Sequence, residues 1–341
     1  MPYHNFIGID IGKLEFVAGC ESNKKTSSYD NKAEGWERFV DEHKSLLSDA
    51  LIVLESTGGY ESGLLKFLVA RGLSVHRADA RKVKNFIRSF GKYAKTDAID
   101  SLALAKYARE REAMLGLYVP PSEAQETLRL LAERRLDLNQ MLTQEKNRSK
   151  APLNKPLLPK ITVVINFLKK QLEEISEAIE EVMAKHKEFE RKRQILETVP
   201  GIGSVTANAL LALMPELGTL DRKKVASLAG LAPHPKQSGT KTWYSPTIGG
   251  RRDLRPILFM AAMGAQRSKG THLSEFYARL TDNGKKKMVA LTAVMRKIIV
   301  IANARLRDEF YQSNFEHNSC SLNQLGARLN VPTLDAASSA A

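Results

Sequence analysis

Four carboxylates stand where phosphodiester chemistry would need them. Asp10 lies inside the apolar run FIGIDI (6–11), flanked by Ile9 and Ile11. A carboxylate there is costly unless it is paired or bound to a cation. Glu55 closes a second apolar run, ALIVLE (50–55), directly before a Ser-Thr-Gly-Gly turn. Asp97 and Asp100 stand three apart in KTDAIDS, a spacing that puts both on one face of a helix. Two strand-borne and two helix-borne acids that converge at the end of a sheet repel one another unless divalent cations sit among them. Oxygen-only ligands favour Mg²⁺ or Mn²⁺. Two such ions can hold a phosphodiester and stabilise its attacking and leaving oxygens. Each acid also has a plainer reading: Asp97 as a helix N-cap after Thr96, Asp100 as a first-turn partner of the helix dipole, Glu55 as a strand end.

A candidate nucleophile lies far downstream. In GLAPHPKQSGTKTWYSPTIGGRRDLR (230–255), Ser238 precedes Gly239 in a loop between two basic clusters. A serine hydroxyl attacks a phosphodiester when cations orient and neutralise the phosphate. Arg251, Arg252 and Arg255 can supply that charge, bidentately where geometry allows. Lys236 and Lys241 flank the serine, and Trp243 and Tyr244 can stack on a base or sugar. A second serine, Ser245, is close by, and an ordinary turn serine is the plainer reading of either. Upstream, ILETVPGIGSVTANALLAL (195–213) reads as helix, Pro-Gly-Ile-Gly turn, helix. In such a helix-hairpin-helix, Gly201 and Gly203 let backbone N–H groups approach a phosphate; a plain helical hairpin is the alternative. A dinucleotide-binding fingerprint is excluded, because no strand precedes these glycines and the third is missing.

The acids need a scaffold, and the first 110 residues alternate strand and helix signals. Strands are expected at 6–11, 15–20, near 27–29, at 50–55 and at 73–78, with helices over 33–47, 61–71, 80–90 and 97–109. Three strands followed by alternating helices and strands match a ribonuclease-H-like α/β domain better than a doubly wound nucleotide-binding one. Leu128, Leu131, Leu138 and Leu142 then keep helical spacing until Pro152, Pro156 and Pro159 break it, and Leu168, Leu172, Ile175, Ile179 and Val182 resume it. This reads as two long helices, either a coiled-coil-like hairpin or oligomerisation arm, or an ordinary bundle segment. From 195 the chain reads as mainly helical, with a Pro- and Gly-rich interruption at 232–255 and helices at 256–268 and 286–308. The Asn-, Ser- and Ala-rich tail after Tyr311 reads as poorly ordered. The expected division is an α/β catalytic domain (1–115), an all-α connector (116–194), a mainly helical C-terminal domain (195–312) and a tail (313–341).

Composition narrows the function class. The 341 residues carry 43% hydrophobic and 26% charged side chains, as folded globular proteins do, which excludes wholesale disorder and a collagen-like fibre. No apolar run approaches the ~18 residues of a membrane span. MPYHNFIGIDIG lacks a signal-peptide pattern. Two distant cysteines, Cys20 and Cys320, suit a reducing cytoplasm. Residues 219–300 hold 16 Lys/Arg against 4 Asp/Glu, which is +12 of the chain's net +14. Charge concentrated in one segment points to a polyanion.

GIDIGK, LESTGGYE, KTDAIDS, VPGIG, GLAPHPKQSG and DLRPILFMAA follow one another in this order. The ordered set, over roughly residues 5–310, resembles the DEDD transposases of the bacterial insertion-sequence one-ten family. That resemblance implies a Holliday-junction-resolvase-like (RuvC-like) N-terminal domain, a helical connector and a C-terminal transposase domain. It implies a DNA recombinase guided by a structured bridge RNA that pairs with donor and target DNA. Asp10, Glu55, Asp97 and Asp100 match the acidic cluster. Ser238 before Gly239 matches the serine that links covalently to DNA before strands exchange through a Holliday junction. The resemblance further implies dimers that assemble into tetramers, with composite sites between subunits. A conventional Mg²⁺-dependent resolvase-like endonuclease, in which the carboxylates activate water, is the alternative mechanism. A DNA-binding protein without catalysis is disfavoured because the acids are intact.

Overall fold

β-Branched and aromatic residues in the first third alternate between two apolar faces, and that alternation builds the sheet. The computed structural model describes residues 3–91, 96–238, 241–243 and 245–328. Gly239 and Tyr244, like the end of the tail from 329, lie outside the described residues. The chain divides into two compact units, Met1–Pro121 and Ser122–Ala341.

In the first unit β1 (Asn5–Ile11), β2 (Glu15–Cys20) and β3 (Thr26–Asp30) form an antiparallel meander. Helices α1 (Ala33–Glu42) and α2 (Lys44–Leu47) lead to β4 (Ala50–Glu55), and α3 (Ser62–Ala70) leads to β5 (Ser74–Ala78). Both β4 and β5 join in parallel, giving the order β3-β2-β1-β4-β5. Helices α4 (Ala80–Arg88) and α5 (Asp97–Arg111) complete the unit. Each element stands within a few residues of its expected position. The helix expected over 33–47 is broken at His43, whose backbone leaves the helical region.

The two faces of the sheet are distinct. Ile7, Ile9, Ile11, Ile52 and Leu54 pack with Phe16, Phe39 and Leu64 on one side. Phe6, Leu51 and Val53 pack with Leu104, Tyr107 and Ala108 of α5 on the other. By the period-two rule, Gly8 and Asp10 share the α5 side with Phe6, and Glu55 shares it with Leu51 and Val53. Gly8 is what lets α5 approach: a Cβ there would lie 2.0 Å from the carbonyl oxygen of Ser101 and 2.3 Å from the nitrogen of Ala105.

In the second unit α6 (Glu123–Lys150) and α7 (Leu158–Lys185) form an antiparallel hairpin across a 3-10 turn at Pro152–Leu157. Pro159 sits in the first turn of α7, where a missing N–H costs nothing. The hairpin has its own apolar seam of Leu138, Leu142 and Leu168. At its base Leu128, Ala132, Ile179 and Met183 join the main core. The residues expected to be a separate connector (116–194) therefore belong, from Ser122 onward, to the same compact unit as the C-terminal segment. That core also takes residues from α8 (Lys187–Glu197), α9 (Ser204–Leu213), α10 (Arg222–Leu228), α11 (Leu254–Arg267), α12 (His272–Asp282) and α13 (Lys287–Arg328).

Three features were not expected. A small hairpin, β6 (Lys236–Ser238) with β7 (Lys241–Trp243), stands in the Pro/Gly-rich interruption. Helix α12 follows α11. Helix α13 runs to Arg328, so the stretch 313–328 is helical where a poorly ordered tail was expected. No proline interrupts it before Pro332. Among the described residues no helix is long and apolar enough to cross a membrane.

Gly8→Ala tests the close approach of α5. The methyl group must displace helix backbone, so stability should fall by ~1–3 kcal/mol in urea unfolding.

Candidate catalytic residues and nucleic-acid interface

Asp10 and Glu55 stand one residue beyond the last paired positions of β1 and β4, Ile9 and Leu54. They are thus neighbours at the C-terminal ends of adjacent parallel strands, on the face that α5 covers. Both are half-buried. Helix α5 runs antiparallel to β1: Ser101 lies over Gly8 and Gly19, while Tyr107 and Ala108 reach the Phe6 end. Its N-terminus is therefore directed toward the Asp10 end of the strand. Asp97 and Asp100 lie one turn before Ser101 and Leu104, on the helix side that faces the sheet. Asp97 is exposed and Asp100 half-buried.

The cap of α5 is Thr96, whose Oγ1 accepts from the N–H of Ile99 at 3.3 Å. Asp97 is the first helical residue, so the capping role does not account for it. The donor set at this end of the sheet is all carboxylate oxygen, which suits a hard divalent cation. Among the described residues, however, no three His, Cys, Asp or Glu side chains form a group that could hold a metal ion.

A fifth carboxylate, which the chain pattern did not single out, shapes the loop after Glu55. Glu61 is 0% exposed. Its Oε2 accepts from the N–H groups of Thr57 (3.1 Å) and Gly59 (2.9 Å), and its Oε1 pairs with Arg77 of β5. Burial alone pushes its pKa up. Hydrogen bonds from the backbone of Glu61 and Thr57, with the Arg77 guanidinium, outweigh that and hold the carboxyl below the usual range. Glu61 thereby ties the Ser56–Tyr60 turn to the sheet edge beside Glu55. Its signal in the sequence was the glutamate placed directly after Gly-Gly-Tyr.

In the second unit Ser238 ends β6 opposite Lys241 and is exposed. A strand end in a tight hairpin presents it, where a flexible loop was expected. Lys236 and Lys241 occupy the same hairpin. Ser245 is half-buried and lines a cavity of about 590 Å³ that Arg222, Arg296 and Lys297 also line.

The three arginines expected to bind phosphate have different settings. Arg251 forms a two-point ion pair with Glu216 (2.6 and 2.8 Å) and donates to the carbonyl of Leu213 at 2.6 Å. Burial raises the pKa of Glu216, but Arg251 more than compensates and holds it low. Arg255 donates to the carbonyl of Gly249 at 2.9 Å. Only Arg252 of the three is exposed.

The Pro-Gly-Ile-Gly turn joins α8 to α9 as the sequence implied. At Gly201 φ is +90°, and a Cβ would lie 2.2 Å from the carbonyl oxygen of Ala261 in α11. Gly201 therefore serves helix packing. Gly203, at the N-cap of α9, has open space around it.

Residues 7–156 match the DEDD transposase family model of IS110, and residues 193–278 match the family model described as "Transposase IS116/IS110/IS902 family". The chain belongs to the IS110/IS116/IS902 family of transposases. A "Pilin gene-inverting protein" of Moraxella lacunata is 27% identical over 311 residues, covering 89% of this chain and 95% of the relative. The "Insertion element IS116 uncharacterized 44.8 kDa protein" of Streptomyces clavuligerus is 26% identical, over 75% of this chain and 82% of the relative. A "Transposase for insertion sequence element IS1328" of Yersinia enterocolitica is 24% identical, over 77% and 84%. This IS110-family transposase is an enzyme that acts on DNA. Its first family match contains Asp10, Glu55, Asp97 and Asp100, and its second contains Gly201, Gly203, Ser238 and all three arginines.

Two outcomes follow from these settings. Glu61→Gln should destabilise the first unit by about 2–3 kcal/mol at neutral pH, the range for hydrogen bonds to a charged group. The native pKa is depressed, so this stabilisation is complete above the ordinary carboxylate range and is lost as pH falls through it. The gap between wild type and variant in urea unfolding should therefore shrink below about pH 4. For the arginines, Arg251→Gln should cost about 1–2 kcal/mol of stability, a charge-assisted pair discounted for its partial exposure. Arg252→Gln should leave stability unchanged and lower the slope of log K against log salt for duplex DNA by about 0.9, one phosphate contact.

Proposed function

We propose that this transposase cuts and exchanges DNA strands through a serine–DNA covalent intermediate, with Ser238 as nucleophile. It is guided by a structured bridge RNA that pairs with donor and target DNA. The observation that carries the reading is the pairing of two features: four carboxylates directed to one end of a sheet, and an exposed Ser-Gly serine at the end of a hairpin that also carries Lys236 and Lys241. The strand order β3-β2-β1-β4-β5 supports an RNase-H-like reading of the first unit. The protein would work in the cytoplasm on bacterial DNA, as dimers that assemble into tetramers.

In the chemical step the Ser238 Oγ–P bond forms and the P–O bond to the leaving deoxyribose oxygen breaks. The hydroxyl proton passes in net to that leaving oxygen, so the bond energy is conserved for resealing. Asp10, Glu55, Asp97 and Asp100 form no metal-holding group as they stand; drawn together on the DNA, they would hold Mg²⁺ or Mn²⁺, which when bound supplies positive charge to the phosphate. Glu61 acts through the Ser56–Tyr60 turn and positions Glu55. Arg252, Lys236 and Lys241 attract and seat the strand. Ser238 is preferred over Ser245 because it is exposed and carries the Ser-Gly match.

Ser238→Ala should abolish protein–DNA adducts on denaturing gels while nucleic-acid binding persists, and Ser245→Ala should still form them. Asp10→Asn, Glu55→Gln and Asp97→Asn should each remove activity with little loss of fold, since less mutual repulsion remains. Adducts formed by Ser238→Ala but not by Ser245→Ala would reverse the serine assignment. Cleavage without any adduct would favour the water-activating endonuclease. Sequencing RNA that copurifies with the protein should return one discrete structured species.

A further inference from the structure

The base of the α6–α7 hairpin contains a cavity of about 500 Å³, closed on its other sides by α9 and α11. Two of its polar groups are left incomplete by the protein. Asn208 is only 6% exposed. Its Nδ2 donates to Glu180 Oε1 at 2.8 Å, which fixes the amide's orientation, and its Oδ1 is buried with no hydrogen-bond partner. A buried acceptor without a donor costs roughly 1–3 kcal/mol, so it is a candidate for a ligand's N–H or O–H. Arg135 is the second group. Its Nε donates to Ser176 Oγ at 3.2 Å, and among the described residues it pairs with no carboxylate. Burial pushes its pKa down, with no opposing acid. An Arg so placed has both terminal nitrogens available as donors. The rest of the wall is mostly apolar, with Leu136, Ile179, Ile257 and Met260, and is interrupted by Asn139, Thr143, Thr206 and Glu180.

We propose that this cavity binds one unstacked nucleobase of the nucleic acid that the transposase handles. The base edge would offer acceptors to Arg135 and a donor to Asn208 Oδ1. The inference rests on the nucleic-acid function proposed above and adds a site outside both the carboxylates and the basic hairpin. A flat ring whose acceptors and donor follow one another around its perimeter matches the mostly apolar wall and the two incomplete groups together. Guanine fits best, because a guanidinium pairs with its O6 and N7 and its N1–H is a donor. A simple anion would satisfy Arg135 but leave Asn208 Oδ1 without a donor, and an apolar side chain would satisfy neither. Single-stranded bases are read in this way, splayed from their neighbours and bonded at their edges.

The test uses the full-length protein and a short single-stranded pyrimidine oligonucleotide carrying one 6-thioguanine. Near-ultraviolet crosslinking should attach the thiobase to the Pro256–Arg267 segment, which includes Met260. In the same oligonucleotide with ordinary guanine in place of the thiobase, affinity should fall about tenfold when that guanine is replaced by thymine, the worth of one bidentate base contact. Arg135→Gln and Asn208→Leu should each remove both the crosslink and the base preference, with duplex DNA binding unchanged. If Asn208→Leu fails to fold, Arg135→Gln decides alone, since its side chain is only half-buried. Crosslinks elsewhere, or a base preference that survives Arg135→Gln, would overturn the proposal. So would an Arg135→Gln variant that changes only the oligomeric state, which would assign the cavity to a protein segment. A persistent crosslink in a protein that forms no DNA adduct would leave the cavity standing and remove the serine mechanism, so the two failures are separable.

Discussion

Helix α5 can reach the strands that carry Asp10 and Glu55 because Gly8 has no side chain. The helix backbone at Ser101 and Ala105 occupies the volume that any Cβ would need. The apolar pattern of α5 supplies Leu104, Tyr107 and Ala108 to the core at one end. The same straight helix then delivers Asp97 and Asp100 toward the other. Packing and chemistry are coupled here by rigidity: a helix seated by its buried half cannot place its polar half anywhere else. The loop after β4 is held with comparable economy by Glu61, whose buried carboxylate gathers two loop amides and an arginine from β5. A wholly buried carboxylate is tolerable only when its oxygens are all used in this way.

The basic segment shows why charge count and binding surface are different quantities. The +12 excess of residues 219–300 includes cations that serve the fold. Arg251 is spent on Glu216 and the end of α9, and Arg255 on the Gly249 carbonyl. What remains outward includes Arg252, Lys223, Arg267, Lys269, Lys285, Lys286 and Lys287, all exposed, with half-buried Arg296 and Lys297 at the cavity that Ser245 lines. A polyanion is met by this remainder, at contact range and through a field that salt screens over about 8–10 Å.

The small β6–β7 hairpin gives Ser238 a defined strand-end position in place of loop freedom. Three-residue strands are too short to be seen against the Pro and Gly that surround them, and on their own they would not be stable. Their setting within a helical unit makes them useful: an edge serine is accessible, and its backbone is paired on one side. On the proposed mechanism, preorganisation of this kind would lower the entropy that must be spent to bring Ser238 to a phosphate.

Much of the first unit was determined by its sequence. Isoleucines and leucines at period two in FIGIDI and ALIVLE specify buried strands, and a half-buried acid late in each run stands near the strand's C-terminal end. The 3.6-residue spacing of leucines likewise specified α6 and α7, and the order of the elements placed Asp10 and Glu55 on adjacent parallel strands. Tertiary structure alone decided other matters. That Thr96, not Asp97, caps α5 depends on one hydroxyl reaching one amide. That Gly201 is for packing and Gly203 for solvent depends on where α11 lies, some sixty residues on in the chain. That the connector's base joins the C-terminal core follows from which leucines meet, not from their periodicity, since a coiled coil and a bundle share the same repeat. Arg135 and Asn208 carry no sequence pattern, and the motif that contains Glu61 does not show its burial, because desolvation and partner count are properties of the volume around a side chain. Local spacing fixes which way a residue faces along its own element, and only the packed chain decides what it faces.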